Sequence, residues 1–203
     1  MVVIVISGQP GAGSTTTAKL LAERKGLRYF SPGRVFKDIG RGALKDQFYY
    51  NEFKRRCDLL KLIVPDFTAS NDTHSTLDLW NTAFGKDPRL HKVLDDLQKS
   101  VALQGDVVLD GKLSLHMIPN ATLKVWLKAS RAKRAERTCY RDGLLAEAEK
   151  KLHQRETIER KEWHDMYGLD YWTQESMAHM VIDTTDKSPS QVALDIEHRI
   201  SRV

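Results

Sequence analysis

The run Gly8-Gln9-Pro10-Gly11-Ala12-Gly13-Ser14-Thr15-Thr16 constrains this chain more than any other segment. It follows an apolar stretch at residues 2–6 and leads into the helical pattern Ala18-Lys19-Leu20-Leu21-Ala22. Strand, glycine-rich turn and helix, in that order, make a phosphate-binding P-loop. Glycines let a loop wrap closely around an anion, and backbone N–H groups at a helix N-terminus attract it. The expected nucleotide-binding set is Gly8, Gly11, Ala12, Gly13, Ser14, Thr15 and Thr16. Thr15 stands where a hydroxyl would ligate Mg²⁺. Ser14 stands where the motif G-x-x-x-x-G-K-[ST] has its lysine, so a hydrogen-bond donor is kept and a charge is lost. Lys19, one helical turn beyond Thr15 on the same face, is the nearest candidate to compensate in part. The plainer alternative is a turn that only joins a strand to a helix; the spacing argues against it.

Composition sets bounds on the rest of the chain. Its 203 residues suit one domain, or one core with insertions. Hydrophobic residues make up 41%, with four tryptophans, enough for a packed core. No apolar run approaches the ~20 residues of a membrane helix, and the N-terminal one is too short for a signal segment. Cys57 and Cys139 form neither a metal-ligand pattern nor a disulfide framework, which points to a reducing, cytoplasmic setting. The net charge of +5 suits a polyanionic ligand, nucleotide as well as nucleic acid, though basic faces are often only solvated ones.

Short apolar segments at 2–6, 27–30, 107–109, 123–127 and 180–182 read as buried parallel strands separated by helical stretches. That alternation predicts an α/β fold, a five-stranded parallel sheet flanked by helices on a P-loop core. Two stretches exceed a minimal sheet: the long polar region 35–104 and the highly charged helical region 130–171. Residues 71–76 read as a polar loop within the first. Ser188-Pro189-Ser190 reads as a cap opening a C-terminal helix. Insertions that close over a triphosphate and an acceptor exclude water, as small phosphotransferases require. Asp110, ending a strand beside the loop, is the candidate carboxylate for the metal, or simply a turn aspartate before Gly111. Arg134, Arg137 and Arg141 recur at helical spacing and would line one face, either against phosphates or as a solvated face paired with Glu136, Glu147 and Glu149.

Taken together, the segments resemble the nucleoside monophosphate kinases, most closely the archaeal type of cytidylate kinase, nearly end to end. The residues that carry the resemblance are Ile6 with the loop to Lys19; Tyr29-Phe30-Ser31-Pro32-Gly33-Arg34-Val35-Phe36-Lys37; Gly105-Asp106-Val107-Val108-Leu109-Asp110-Gly111-Lys112-Leu113; Leu123-Lys124-Val125-Trp126-Leu127-Lys128-Ala129; Arg155-Glu156; and Tyr167-Gly168-Leu169-Asp170. The resemblance implies one P-loop kinase domain with a helical acceptor-binding insertion at 35–104 and a helical lid at 130–171. It implies ATP and Mg²⁺ as cofactors, the metal on Thr15 and Asp110. It assigns the lid arginines Arg134, Arg137, Arg141 and Arg155 to the phosphates, and Ser31, Gly33, Lys37, Gly111 and Lys112 to the acceptor. Ser31 before Pro32 also fits a helix N-cap, and Lys37 and Lys112 also fit as surface lysines. The implied partners are small-molecule nucleotides, with no membrane, nucleic acid disfavoured, and a monomer favoured over an oligomer.

The departures from the family pattern concern cations. An acceptor-side D-R-R-Q becomes Asp95-Asp96-Leu97-Gln98, G-R-L becomes Gly111-Lys112-Leu113, and a lid arginine becomes Glu162. Each lost charge-assisted contact is worth roughly 1.5–3 kcal/mol. Lys54, Arg55, Arg56 and Lys61 are a spare supply, as a new acceptor clamp or as a charged helix face. The leading expectation is transfer of the ATP γ-phosphate to CMP or dCMP. A P-loop kinase of altered acceptor specificity and a non-catalytic nucleotide-binding module remain open alternatives.

Overall fold

A computed structural model describes residues 1–40, 43–44, 47–65, 82–142 and 145–201, with side chains for all of these except 40, 139–142 and 145–146. The polar loop expected at 71–76 lies outside the described residues. Two compact units are formed, one by Met1–Tyr29 with Asp106–Val203 and the other by Phe30–Gly105.

The first unit is built on the P-loop. Strand β1 (Val3–Gly8) passes through the loop into α1 (Ser14–Lys25), and β2 (Arg28–Phe30) follows. After the second unit come β3 (Val107–Asp110), a single turn continuing from it (Ser114–Met117), and β4 (Leu123–Lys128). The charged region then forms two helices, Arg131–Asp142 and Leu145–Tyr167, and a 3₁₀ segment, Tyr171–Met177. Strand β5 (Met180–Asp183) and the helix Pro189–Ile200 complete the unit. The sheet order is β2-β3-β1-β4-β5, with β1 parallel to β3 and β4, and β4 parallel to β5. β1, β3, β4 and β5 run one or two residues beyond the apolar runs that mark them, because backbone pairing continues through Gly8, Asp110, Lys128 and Asp183, whereas β2 stays within its run.

Burial on both faces explains the continuous apolar strands. One face packs Ile4, Ile6, Val108, Val125 and Leu127 against Ala18, Leu21 and Ala22 of α1 and Val192 and Ile196 of the last helix. Trp126 is fully buried. The last helix starts as the sequence suggests, with Ser188 and Gln191 forming a capping box and Pro189 in its first turn. The register sets Ile6 opposite Asp110 and Gly8 opposite Leu127. β3 therefore ends two residues short of β1, while β4 runs on beside Gly8. β1 has neighbours on both sides, and its carboxyl end is the place where open α/β sheets bind ligands.

The second unit is helical. Numbering from α1, it contains α2 (Pro32–Gly40), α3 (Tyr50–Leu59) and α4 (Pro88–Leu103). Its core includes Phe30, Phe36, Tyr49, Phe53, Leu90, Val93 and Leu97, with the Phe30 and Tyr49 rings edge to face at 5.1 Å. Asp87 caps α4 by accepting from the Arg89 N–H at 2.8 Å, next to Pro88 at the first helical position. The buried His91 ring meets the Gly85 carbonyl at 2.9 Å. Continuing the numbering, Ser114–Met117 is α5, Arg131–Asp142 is α6, Leu145–Tyr167 is α7 and Pro189–Ile200 is α8.

Candidate nucleotide site

The loop after β1 is fixed from several directions. Its φ angles are +81° at Gly11 and +95° at Gly13, left-handed values that favour glycine. Gly11 is doubly constrained: a Cβ there would lie 2.7 Å from the Arg134 carbonyl oxygen. The Gln9 N–H donates to the Leu127 carbonyl at 3.0 Å, and the Gln9 side-chain carbonyl accepts from the Ala129 N–H at 3.2 Å. Thr184 Oγ1 donates to the Ala12 carbonyl at 2.9 Å. The first intrahelical bond of α1 is Thr17 N–H to Gly13 O. Gly13, Ser14, Thr15 and Thr16 thus contribute the N–H groups that a helix cannot satisfy from within, and a glycine N-cap brings no side chain to compete for them.

Thr15 and Asp110 come together. Thr15 Oγ1 donates to Asp110 Oδ2 at 2.7 Å, and Tyr29 Oη approaches the same oxygen at 3.2 Å. Asp110 is buried, while Thr15 is exposed at the head of α1. A hydroxyl and a carboxylate are hard oxygen donors of the kind Mg²⁺ takes in small number, its remaining positions filled by water and phosphate. Among the described residues no group of three or more His, Cys, Asp or Glu could form a metal cage. The pair fits Mg²⁺ arriving with a nucleotide. Lys19 stands with its ammonium 5.7 Å from the centre of the Tyr29 ring.

The arginines on α6 serve different partners. Arg134 is buried; its Nε donates to Ala129 O at 3.1 Å, its Nη1 to Pro10 O at 3.1 Å, and the same nitrogen pairs with Glu156 of α7. Its guanidinium also lies over the Trp172 ring at 5.7 Å. Arg137 reaches the loop after β5, donating to Thr184 Oγ1 at 2.9 Å and Thr184 O at 2.6 Å. Through Thr184 it braces Ala12 of the loop. The side chain of Arg141 lies outside the described residues. Arg155 pairs with Glu159 through Nε at 2.7 Å.

Lys112 lies at the loop. Its ammonium donates to Gly8 O at 3.2 Å, stands 3.5 Å from Glu159 Oε2 and covers the Tyr171 ring at 5.1 Å. Burial pushes this ammonium below its ordinary pKa, against the pull of Glu159. Burial opposes ionisation of Glu159 as well, yet Lys112 and Arg155 outweigh it and hold that carboxyl below the ordinary range. The Tyr171 phenol is pushed well up by burial.

In the second unit, Ser31 caps α2, accepting from the Arg34 N–H at 3.3 Å, and Gly33 and Lys37 lie exposed on that helix. Arg55 makes two 2.8 Å bonds to Glu52, while Arg56 meets Glu52 at 2.8 Å, Asp96 at 3.5 Å and Ser100. Lys54 and Lys61 are exposed. Ser7, Glu156, Glu159, Trp172, Gln174 and Thr184 are parts of the loop's surroundings to which sequence reasoning gave no role. The one available signal was the alternation of charge in Arg155-Glu156-Thr157-Ile158-Glu159-Arg160, the mark of a helix laced with ion pairs.

A parallel sheet, a glycine loop opening a helix, and a hydroxyl–carboxylate pair at its mouth define a P-loop phosphotransferase. Comparison with known proteins agrees. The model of the cytidylate kinase-like family matches residues 3–186, and the chain belongs to that family. Cytidylate kinase of Methanopyrus kandleri is 31% identical over 91% of this chain and 85% of its own length. That of Pyrococcus horikoshii is 30% identical over 94% and 83% respectively. The protein is therefore an ATP-dependent kinase of the nucleoside monophosphate class. Among solved structures, shikimate kinase from Acinetobacter baumannii superposes with a TM-score of 0.58 at 16% identity, over 100% of this chain and 94% of that one. An uncharacterised protein from Eubacterium ventriosum gives 0.64 at 12% identity, over 99% of each chain. At such identities these two likenesses speak for the fold alone. Among the described residues no helix is long and apolar enough to cross a membrane.

Proposed function

We propose that this protein transfers the γ-phosphate of MgATP to a pyrimidine nucleoside monophosphate, CMP or dCMP, giving the diphosphate. The contact between Thr15 and Asp110 at the mouth of the loop carries the reading, because it pairs a metal-binding hydroxyl with a metal-orienting carboxylate where the triphosphate would lie. Thr15 and Asp110 would hold Mg²⁺, which would supply positive charge against the phosphates. The loop N–H groups and glycines hold the triphosphate, and Arg134 and Arg137 keep the loop in shape from behind. Arg155 and Arg141 are the lid cations assigned to the phosphates, and Ser31, Gly33, Lys37 and Gly111 the acceptor-side residues. The acceptor α-phosphate attacks in line, so positioning and charge do the chemistry and no protein nucleophile is required. Residues 35–104 act as the acceptor-binding insertion and 130–171 as the lid, in a cytoplasmic monomer.

One observation favours a second reading, a kinase of altered acceptor. Asp96 occupies the acceptor-side position where the family has arginine, and it is paired with Arg56 and Lys92. The test is ADP formation with MgATP and CMP, dCMP, UMP, AMP, GMP or nucleosides. Turnover with CMP or dCMP supports the first reading. Turnover confined to another acceptor replaces it with the second.

A further inference from the structure

The loop has lost its lysine at position 14, yet a cation is in contact with its first residue. Lys112 enters from the end of β3, on the strand beside β1. Its backbone is held firmly. Ser7 Oγ donates to the carbonyls of Gly111 at 2.7 Å and Lys112 at 2.9 Å, and Gln174 Nε2 donates to Lys112 O at 2.7 Å. From this anchor the side chain, 23% exposed, runs to Gly8 O. Among the described side chains, other cations near the loop have partners of their own: Lys19 the Tyr29 ring, Arg134 Pro10, Ala129 and Glu156, Arg137 Thr184, and Arg155 Glu159. Lys112 is also two residues beyond Asp110, so cation, carboxylate and glycine loop converge on one end of the sheet.

We propose that Lys112 is the cation that neutralises the ATP β/γ-phosphates, supplied from β3 in place of the lysine that Ser14 replaces, and that Glu159 is the carboxylate it exchanges for phosphate. The proposal rests on the phosphotransferase reading above and reassigns Lys112 from the acceptor to the ATP side. Its contacts suit such an exchange. The bond to Gly8 O ties the ammonium to the loop, whereas the Glu159 contact, at 3.5 Å, is an ion pair longer than a hydrogen bond. An ammonium has three rotatable donors on a flexible stem, so it can keep Gly8 while turning to a new anion. A triphosphate presents several negative charges against the single one of Glu159, and the Coulomb balance favours the exchange.

The test is direct binding of MgATP and of CMP to the full chain by calorimetry. Lys112→Met is expected to weaken MgATP binding at least tenfold while changing CMP binding less than twofold. Adding Ser14→Lys to Lys112→Met is expected to restore most of the MgATP affinity, and Glu159→Gln alone to tighten it several-fold. Thermal unfolding checks that each variant folds; if Lys112→Met does not, Lys112→Gln with Glu159→Gln removes both charges and takes its place. Wild-type MgATP affinity in the charge-deleted variant, a loss confined to CMP, or no restoration by Ser14→Lys would overturn the proposal. A protein that binds MgATP through Lys112 but turns over no pyrimidine nucleotide would refute the acceptor proposed above and support this inference.

Discussion

Replacing Glu156 by leucine and Arg134 by methionine, singly and together, separates bracing of the loop from contact with phosphate. Arg134 is buried, and its partner is a carboxylate whose side chain is 13% exposed. Leaving one member of a buried ion pair without the other costs about 3–5 kcal/mol. Glu156→Leu belongs at the low end, about 3 kcal/mol, because the guanidinium keeps the carbonyls of Pro10 and Ala129 and the Trp172 face. Arg134→Met strands Glu156 and both carbonyls, so its cost reaches the upper end, about 5 kcal/mol, a large share of a total near 5–15 kcal/mol. For a chain this long each kcal/mol moves the melting temperature about 2–4 °C, giving a drop of roughly 6–12 °C for Glu156→Leu. The double variant should be less damaged than the sum of the singles, by roughly 0.5–3 kcal/mol of coupling. Thermal unfolding followed by circular dichroism reads all three. An Arg134→Met protein as stable as wild type but poor at binding ATP would refute the bracing argument, since Arg134 would then be a phosphate ligand.

Three further outcomes follow from particular contacts. Thr15→Ala removes the hydroxyl beside Asp110, so ATP binding should lose its dependence on added Mg²⁺; a titration in which Mg²⁺ still tightens binding as in wild type would exclude this metal site. Gly11→Ala meets both a left-handed backbone and the Arg134 carbonyl, whereas Gly13→Ala meets only the first, which costs about 1–2 kcal/mol. Unfolding temperatures should therefore rank wild type above Gly13→Ala above Gly11→Ala, and the reverse order for the two variants would contradict the packing. Burial pushes the Cys57 thiol up to about 11 from an ordinary value near 9. Folding favours its neutral form, so this contribution is complete below about pH 9 and is lost as pH rises through about 11. Peptide mapping after iodoacetamide treatment at pH 8 should find Cys57 unmodified in the folded protein and modified in denaturant.

What the sequence made legible was local. A glycine's tolerance of positive φ, an apolar run long enough for one buried strand, and a Ser-x-x-Gln cap each declare themselves within a few residues. The sheet, the loop and α8 are built from such signals. The arginines of α6 were not legible in the same way. Residues three apart on a helix differ by about 60° around its axis, enough for Arg134 to face α7 while Arg137 faces the loop after β5. Their spacing carried no information about which acceptors those neighbours would offer. Glu156 and Glu159 were equally obscure, since pairing with Arg134 and Lys112 depends on where α7 packs. Ser31 was readable as a cap because capping, too, is local.

The two carboxylates of α7 also bear on the residue at position 14. They are three residues apart, and each meets a cation tied to the loop, Glu156 at Arg134 and Glu159 at Lys112. A lysine at position 14 would add a second ammonium near Lys112 with no carboxylate of its own, and like charges in a partly desolvated site repel. Serine at this position therefore fits a loop whose cation already arrives from β3. It follows that Ser14→Lys should improve ATP binding only slightly in the wild-type background and strongly in Lys112→Met. The difference between the two effects measures the repulsion, expected within the roughly 0.5–3 kcal/mol typical of neighbouring residues. Equal gains in the two backgrounds would mean that the ammonium groups do not share a site, and the charge-balance account of Ser14 would be wrong.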